Sequence, residues 1–301
     1  MAITDATETQ AAADVAAAQG AWPFEAKPLS PLMGAEVFGL DAAQPISDAT
    51  RDAVLDAPNR YKVLVLRDQD LTPAAQADFT RCFGELEQHV NREFRGAGVP
   101  EVHPVNNLDE NDKPARGRNI GNYSWHTDKS YMPLPSLATL LYAVQLPPDG
   151  GDTEFADMEA AYDALPEARK QDLQPLRLWH SWERSREKSG SRHATDQEKQ
   201  DAPPVNHPLV RTHPGTGRKV LYLGNHSSHV DGWPVEKGEA LIDELQTFAT
   251  QDQFIYRHTW KPGDMVIWDN RCLLHRAVAN FEMDKHVRIL NRTVVRGDVP
   301  V

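Results

Sequence analysis

The stretch SWHTDKSYMPLPSLATLLYAVQL, residues 124–146, sets the reading of the chain. From Ser136 to Leu146 it is a long apolar run closed by PPDGG, and it reads as a strand. Before that run, His126 and Asp128 stand two residues apart, between Trp125 and Tyr131. Side chains at i and i+2 of an extended chain point to one face, so this imidazole and carboxylate can share one ion. A histidine from a neighbouring strand would complete a set of two histidines and one carboxylate. Such a set leaves coordination positions open and suits a non-haem Fe(II) oxygenase.

The bare spacing is weak, because it occurs twice among twelve histidines, at His126/Asp128 and at His229/Asp231. HVDGWP puts its aspartate before glycine, with proline close behind, and reads as a surface turn. On spacing alone, His126/Asp128 reads equally well as a site and as a packed polar pair. His275 ends the apolar run MVIWDNRCLLH, where a lone histidine is more often structural than a ligand. In VRILNRTVV (287–295), Arg288, Leu290 and Arg292 share one face of a strand; Ile289, Asn291 and Thr293 share the other. Arginines facing inward need anions, because a buried unpaired guanidinium is very costly, and one of them can grip a carboxylate bidentately. A strand rotated the other way leaves both in solvent.

Working outward, strands are expected at 33–40, 62–69, 176–182, 253–260, 265–271 and 287–295, with a hairpin over 207–224 that turns at Pro214–Gly217. Helices are expected to open at 47–55, to span 71–84 with Thr72 as N-cap, Pro73 in the first turn and Gly84 as stop, and to cover 157–165 and 235–248. Residues 90–121 read as a long polar loop, and 183–205 as a charged run without a core pattern. Hairpins rather than crossover helices join the strands. The expected fold is therefore mainly β with flanking helices, an antiparallel barrel or jelly roll with the two polar segments as lids over its mouth.

Composition narrows the function. A net charge of −12 argues against a nucleic-acid partner. It leaves room for a small anionic substrate, since a local arginine pair outweighs the global field at short range. No apolar run approaches a membrane span, and the first residues lack the basic region and apolar core of a secretory signal. Two cysteines, Cys82 and Cys272, imply no disulfide framework, so a reducing cytoplasm is expected. Residues 1–23, alanine-rich and polar, read as a loose tail before a single domain over 24–301.

Seven segments, PLSPLMGAEVFGL, CFGELEQH, NYSWHTDKSYMPLP, LPPDGGDTEFADMEAAYDALP, PPVNHPLVRTHPGTGRK, WDNRCLLHRA and NRTVVRGD, together resemble the Fe(II)/2-oxoglutarate-dependent dioxygenases of the taurine dioxygenase/TfdA family. The resemblance runs from Phe24 over about the whole chain. GGDTEFADMEAAYDALP, VNHPLVRTHPGTGRK and WDNRCLLHR look closest to the 2,4-dichlorophenoxyacetate dioxygenase branch. It implies a double-stranded β-helix, the cupin-like jelly roll. It makes His126, Asp128 and His275 the metal ligands. Thr153 and Arg288 become the residues that hold 2-oxoglutarate; Arg292 meets the substrate's acid group, and His89 and Asn122 match further substrate-side positions. Departures exist. DKHV precedes Arg288 where the family often has paired arginines, the interval from His275 to Arg288 is slightly long, and ERSREKSGSRHATDQEK (183–199) has no clear counterpart.

The implied enzyme uses Fe(II), 2-oxoglutarate and O2, is stimulated in vitro by ascorbate, and yields succinate and CO2. Its implied substrate is a small organic acid, with an aryloxyalkanoate ahead of a taurine-like sulfonate or another carboxylate; homo-oligomers are common in the family. Two other readings stand beside it. A zinc hydrolase would use the same ligands, but it lacks an H-E-x-x-H helix and leaves the arginines without a purpose. A non-catalytic jelly-roll binding protein would use His126 and Asp128 as a buried pair. Tyr123, Trp125 and Tyr131 read equally as pocket wall and as core, whereas Trp268 and Cys272 read as scaffold.

Overall fold

The computed structural model describes residues 22–88, 98–116, 120–190 and 192–301. Strands β1 (Glu25–Pro28) and β2 (Ala35–Phe38) form an antiparallel pair. Helix α1 (Asp48–Tyr61) starts at Ser47, whose hydroxyl accepts from the Thr50 amide. Strand β3 (Val63–Leu66) then runs parallel to β2. Helix α2 (Pro73–Arg81) has the expected Thr72 cap, accepting from the Ala75 amide, and ends before Gly84. Next come β4 (His103–Asn106), β5 (Ser136–Gln145), β6 (Thr153–Asp157), α3 (Met158–Asp163), α4 (Glu167–Leu173) and β7 (Arg177–His180). They are followed by α5 (Trp182–Lys188), α6 (Asp196–Asp201), β8 (Val205–Pro208), β9 (Val210–Thr212), β10 (Lys219–Leu221), β11 (Ser227–Val230) and α7 (Val235–Ala249). Strands β12 (Ile255–His258), β13 (Met265–Asp269), β14 (Leu273–Ala277) and β15 (Ile289–Arg296) close the chain.

A seven-stranded sheet has the order β1-β2-β3-β13-β5-β15-β4. A three-stranded sheet, β12-β6-β14, carries the other half of the site; β11-β7-β8 and the β9–β10 hairpin complete the β structure. Strand alternation divides the large sheet between two cores. Val63 and Val65 of β3, Leu141 of β5, and Val266 and Trp268 of β13 join the core that includes Phe155 of the small sheet. Their neighbours Leu64, Leu66, Leu140, Met265 and Ile267 enter a second core with α1 and α2. This is the mainly β architecture with flanking helices expected from the sequence. The described strands form separate sheets and do not close into a barrel.

Three expectations are corrected. The polar segment 90–121 contains β4, an edge strand registered on Ile289–Arg292 of β15. The charged segment 183–205 holds α5 and α6, which have few apolar anchors and rest on caps instead. The Ser181 hydroxyl starts α5, a Thr195/Glu198 capping box starts α6, and Arg192 grips the Glu198 carboxylate with both terminal nitrogens. Trp182, Ala194 and Ala202 pack there with Tyr131. The run 265–277 is two strands rather than one: the Met158 amide bonds the Cys272 carbonyl beyond the break, so His275 lies on β14 in the other sheet.

Candidate metal centre and cosubstrate pocket

The break between β13 and β14 is what brings the histidines together. His126 and His275 exchange both backbone hydrogen bonds, at 3.1 and 2.8 Å, as an isolated antiparallel bridge. Their rings lie 4.2 Å apart. The Asp128 carboxylate faces both: Oδ1 is 4.0 Å from His126 Nε2, and Oδ2 is 3.9 Å from His275 Nε2. All three residues are buried, and their ligand atoms lie within 4.8 Å of one another. The His126 Nδ1–H donates to the Ser124 carbonyl at 2.7 Å, which leaves Nε2 with its lone pair facing Asp128. Thr139 donates to Asp128 Oδ2 at 2.6 Å, and Asn270 holds Thr139 while accepting from the Asp128 amide and the Trp268 indole. Two imidazole nitrogens and an oriented carboxylate fit Fe(II).

Burial opposes ionisation of Asp128, but Arg292, whose Nη1 donates to Oδ1 at 3.0 Å, and the two histidines outweigh it. The carboxyl is held well below its ordinary range. Burial also pushes His126 and His275 down.

Beside this centre is a cavity lined from both sheets, by Leu141, Trp268, Arg288 and Arg292 on one side and Thr153 and His275 on the other. Both arginines face inward, which settles the strand's rotation. Arg288 precedes β15 and is 6% exposed, and among the described residues no carboxylate forms an ion pair with it. Its Nε donates to the Gly151 carbonyl at 2.8 Å, and its amide donates to Asn107 Oδ1. Burial pulls its pKa down to about 10. Gly151 sits at φ +73°, and a Cβ there would lie 3.1 Å from Arg288 Cδ and Nε. The PPDGG turn therefore needs glycine both for its backbone and for the guanidinium's passage. Thr153, the first residue of β6, puts its hydroxyl 3.5 Å from Arg288 Nη2.

Asn122 lines the cavity from the 3-10 turn Ile120–Tyr123. His89 lies outside the described residues. Tyr123, Trp125 and Tyr131 are absent from the described lining; Tyr131 instead packs on His226 and Trp182. Trp268, read as scaffold, does line the cavity. Thr139, Asn270 and Asn107 were not anticipated. Thr139 left a signal, a hydroxyl on the same strand face as Leu141 and Ala143; Asn107, in a polar loop, left none. His229/Asp231 forms no metal cluster among the described residues, and Asp231 accepts from the Trp179 indole.

A second buried group, Glu159, His213 and Cys272, also has ligand-type atoms within 4.8 Å. Lys62 and Arg218 flank the Glu159 carboxylate, each at 3.0 Å. His213 Nδ1 accepts two backbone amides, and its Nε2–H donates to Asp269. With its cations in place and no free imidazole lone pair, this is a fastening network rather than a cation site.

A family model described as "Taurine catabolism dioxygenase TauD, TfdA family" matches residues 25–294. The chain belongs to the TauD/TfdA family. It is 41% identical over 260 residues to an alpha-ketoglutarate-dependent 2,4-dichlorophenoxyacetate dioxygenase of Cupriavidus pinatubonensis, covering 83% of this chain and 91% of that one. It is 38% identical over 283 residues to an (S)-phenoxypropionate/alpha-ketoglutarate-dioxygenase of Sphingobium herbicidovorans, covering 91% and 96%. Among solved structures, AAD-2 in complex with Mn(II) and N-oxalylglycine superposes with a TM-score of 0.81 at 37% identity, over 92% of this chain and 98% of that one. This TauD/TfdA member thus has the family's cupin-like jelly roll and is a 2-oxoglutarate-dependent non-haem iron dioxygenase, using Fe(II), 2-oxoglutarate and O2.

Proposed function

We propose that this dioxygenase hydroxylates an aryloxyalkanoate at the carbon bearing the ether oxygen. The hemiacetal formed from a phenoxyacetate collapses to a phenol and glyoxylate, while 2-oxoglutarate becomes succinate and CO2. The observation that carries the cosubstrate half is Arg288, a buried guanidinium beside the His126, Asp128 and His275 cluster that forms no ion pair with a carboxylate among the described residues. A buried cation of this kind is stable only with an anion, and the distal carboxylate of 2-oxoglutarate supplies one. The aryloxy half is supported by the two phenoxyalkanoate dioxygenases among the relatives.

In this reading His126, Asp128 and His275 hold Fe(II), with Thr139 and Asn270 fixing the carboxylate. When bound, the iron activates O2 and supplies the oxidising power for C–H hydroxylation. Arg288 and Thr153 hold the far carboxylate of 2-oxoglutarate. Arg292 leaves or shares Asp128 to meet the substrate's acid group, and Asn122 and His89 orient the substrate. Leu141 and Trp268 keep that volume apolar and exclude water. Residues 24–301 act as one domain, against which Trp22 packs through Phe24 and Tyr61.

The chain works in a reducing cytoplasm, on a small molecule rather than on nucleic acid or a membrane surface. Two unpaired cysteines, a net charge of −12, and the lack of any helix long and apolar enough to cross a membrane among the described residues support this.

The test is succinate release from 2-oxoglutarate by purified protein with Fe(II) and ascorbate, with and without candidate acids. Phenoxyacetate is expected to raise the rate and to release phenol. Stimulation by taurine-like sulfonates alone would retain the mechanism and reject the aryloxy substrate.

A further inference from the structure

Thr153 sits in the middle strand of the small sheet, between His258 of β12 and Ala277 of β14, and lines the cavity. Among the described residues that hydroxyl has two hydrogen-bond neighbours. One is the Trp260 indole Nε1–H at 3.0 Å, and the other is Arg288 Nη2 at 3.5 Å. Indole and guanidinium N–H groups can only donate. Both therefore occupy the acceptor side of the Thr153 oxygen, and its single proton is left to point elsewhere.

We propose that Trp260 is a positioning residue for 2-oxoglutarate: by donating to Thr153 it turns the Thr153 O–H into the cavity, as a donor to the cosubstrate's far carboxylate. Trp260 is itself held. It is buried two residues beyond β12, and the His258 ring meets it edge-on, at 4.8 Å and 90°. His258 is oriented in turn: Nε2–H donates to Asp264 at 3.1 Å, and the Tyr256 hydroxyl lies 3.4 Å from Nδ1. Asp264 also accepts the Lys261 amide and Arg67 Nη1, which ties the KPGD turn to β3 and the large sheet. A chain of oriented polar groups thus runs from Arg67 to Thr153 and preorganises one hydrogen bond for an anion.

This inference rests on Thr153 and Arg288 holding 2-oxoglutarate, and the experiment separates the two claims. The affinity of 2-oxoglutarate is measured by calorimetry on Mn(II)-loaded protein, without O2 or organic substrate, for Thr153→Val, Thr153→Ser, Trp260→Phe and the Thr153→Val/Trp260→Phe pair. Loss of one hydrogen bond is expected to weaken binding about three- to tenfold in Thr153→Val and in Trp260→Phe. Thr153→Ser keeps wild-type affinity, and the double variant is no weaker than Thr153→Val alone. If Thr153→Val binds normally, the assignment of Thr153 to the cosubstrate falls. If Thr153→Val weakens binding but Trp260→Phe does not, or if the two losses multiply, Trp260 does not act through Thr153 and the positioning role is overturned. A second measurement needs no Trp260 variant. The Trp260 indole proton is expected to exchange slowly in the wild type and faster in Thr153→Val; equal rates in the two would also overturn the proposal.

Discussion

His126 shows how much a single side chain decides at this site. Its Nδ1–H is fixed by the Ser124 carbonyl, so only Nε2 faces Asp128. His126→Ala is expected to abolish iron-dependent succinate formation while circular dichroism stays unchanged; His229→Ala, outside every metal-type cluster among the described residues, is expected to retain full turnover. On the role proposed for Arg288, Arg288→Ala is expected to raise the 2-oxoglutarate KM by about 10- to 100-fold. Arg292→Ala is expected to raise mainly the KM of the organic acid. Steady-state kinetics in both substrates checks the pair, and the opposite pattern would exchange the two arginines' roles. Gly151→Ala forces a Cβ to 3.1 Å from Arg288 at φ +73°. A loss of about 1–2 kcal/mol in denaturant melts, with weaker 2-oxoglutarate binding, is expected.

At the scale of elements, local chemistry and tertiary pairing divide the work. Helix α2 is set by its own residues: the Thr72 hydroxyl accepts from the Ala75 amide, and Pro73 fills the first turn. Thr72→Ala is expected to lower stability by about 1 kcal/mol in urea titration and to leave both KM values unaltered, because the cap lies at the surface away from the cavity. Strand β4 is set by its neighbour. His103–Asn106 has no apolar alternation to announce it, and it is extended because β15 offers an open edge. α5 and α6 lie between these cases, held by caps and ion pairs that a search for an apolar face passes over.

At the scale of the molecule, folding buries several imidazoles that must stay neutral. Burial lowers His180 and His258, and pushes His226 down to about 3, against an unfolded value of about 6.5. The unfolded chain therefore binds more protons between those values, so stability is full above about pH 6.5 and is lost as pH falls toward about 3. Melting temperatures of the metal-free protein are expected to drop across that window, and His226→Gln is expected to flatten the slope. A melting temperature independent of pH from 7 to 4 would contradict this account.

The sequence by itself determined the apolar strands, through their period-2 and apolar runs, and the starts of α1 and α2, through caps that act within four residues. It also placed His126 with Asp128 on one local face, because that relation needs only two residues of extended chain. The tertiary structure decided the rest. His275 joins the pair because the chain breaks at Asn270–Cys272 and returns as β14 beside His126. The rotation that turns Arg288 and Arg292 inward is fixed by the pairing of β15 with β5, which spacing within one strand cannot supply. Thr139, Asn107 and Trp260 bond Asn270, Arg288 and Thr153, partners so far along the chain that nothing in the local sequence records them. The His126, Asp128 and His275 cluster and the inward-facing Arg288 and Arg292 are relations between segments distant in the chain, and only the packing of the two sheets brings them together.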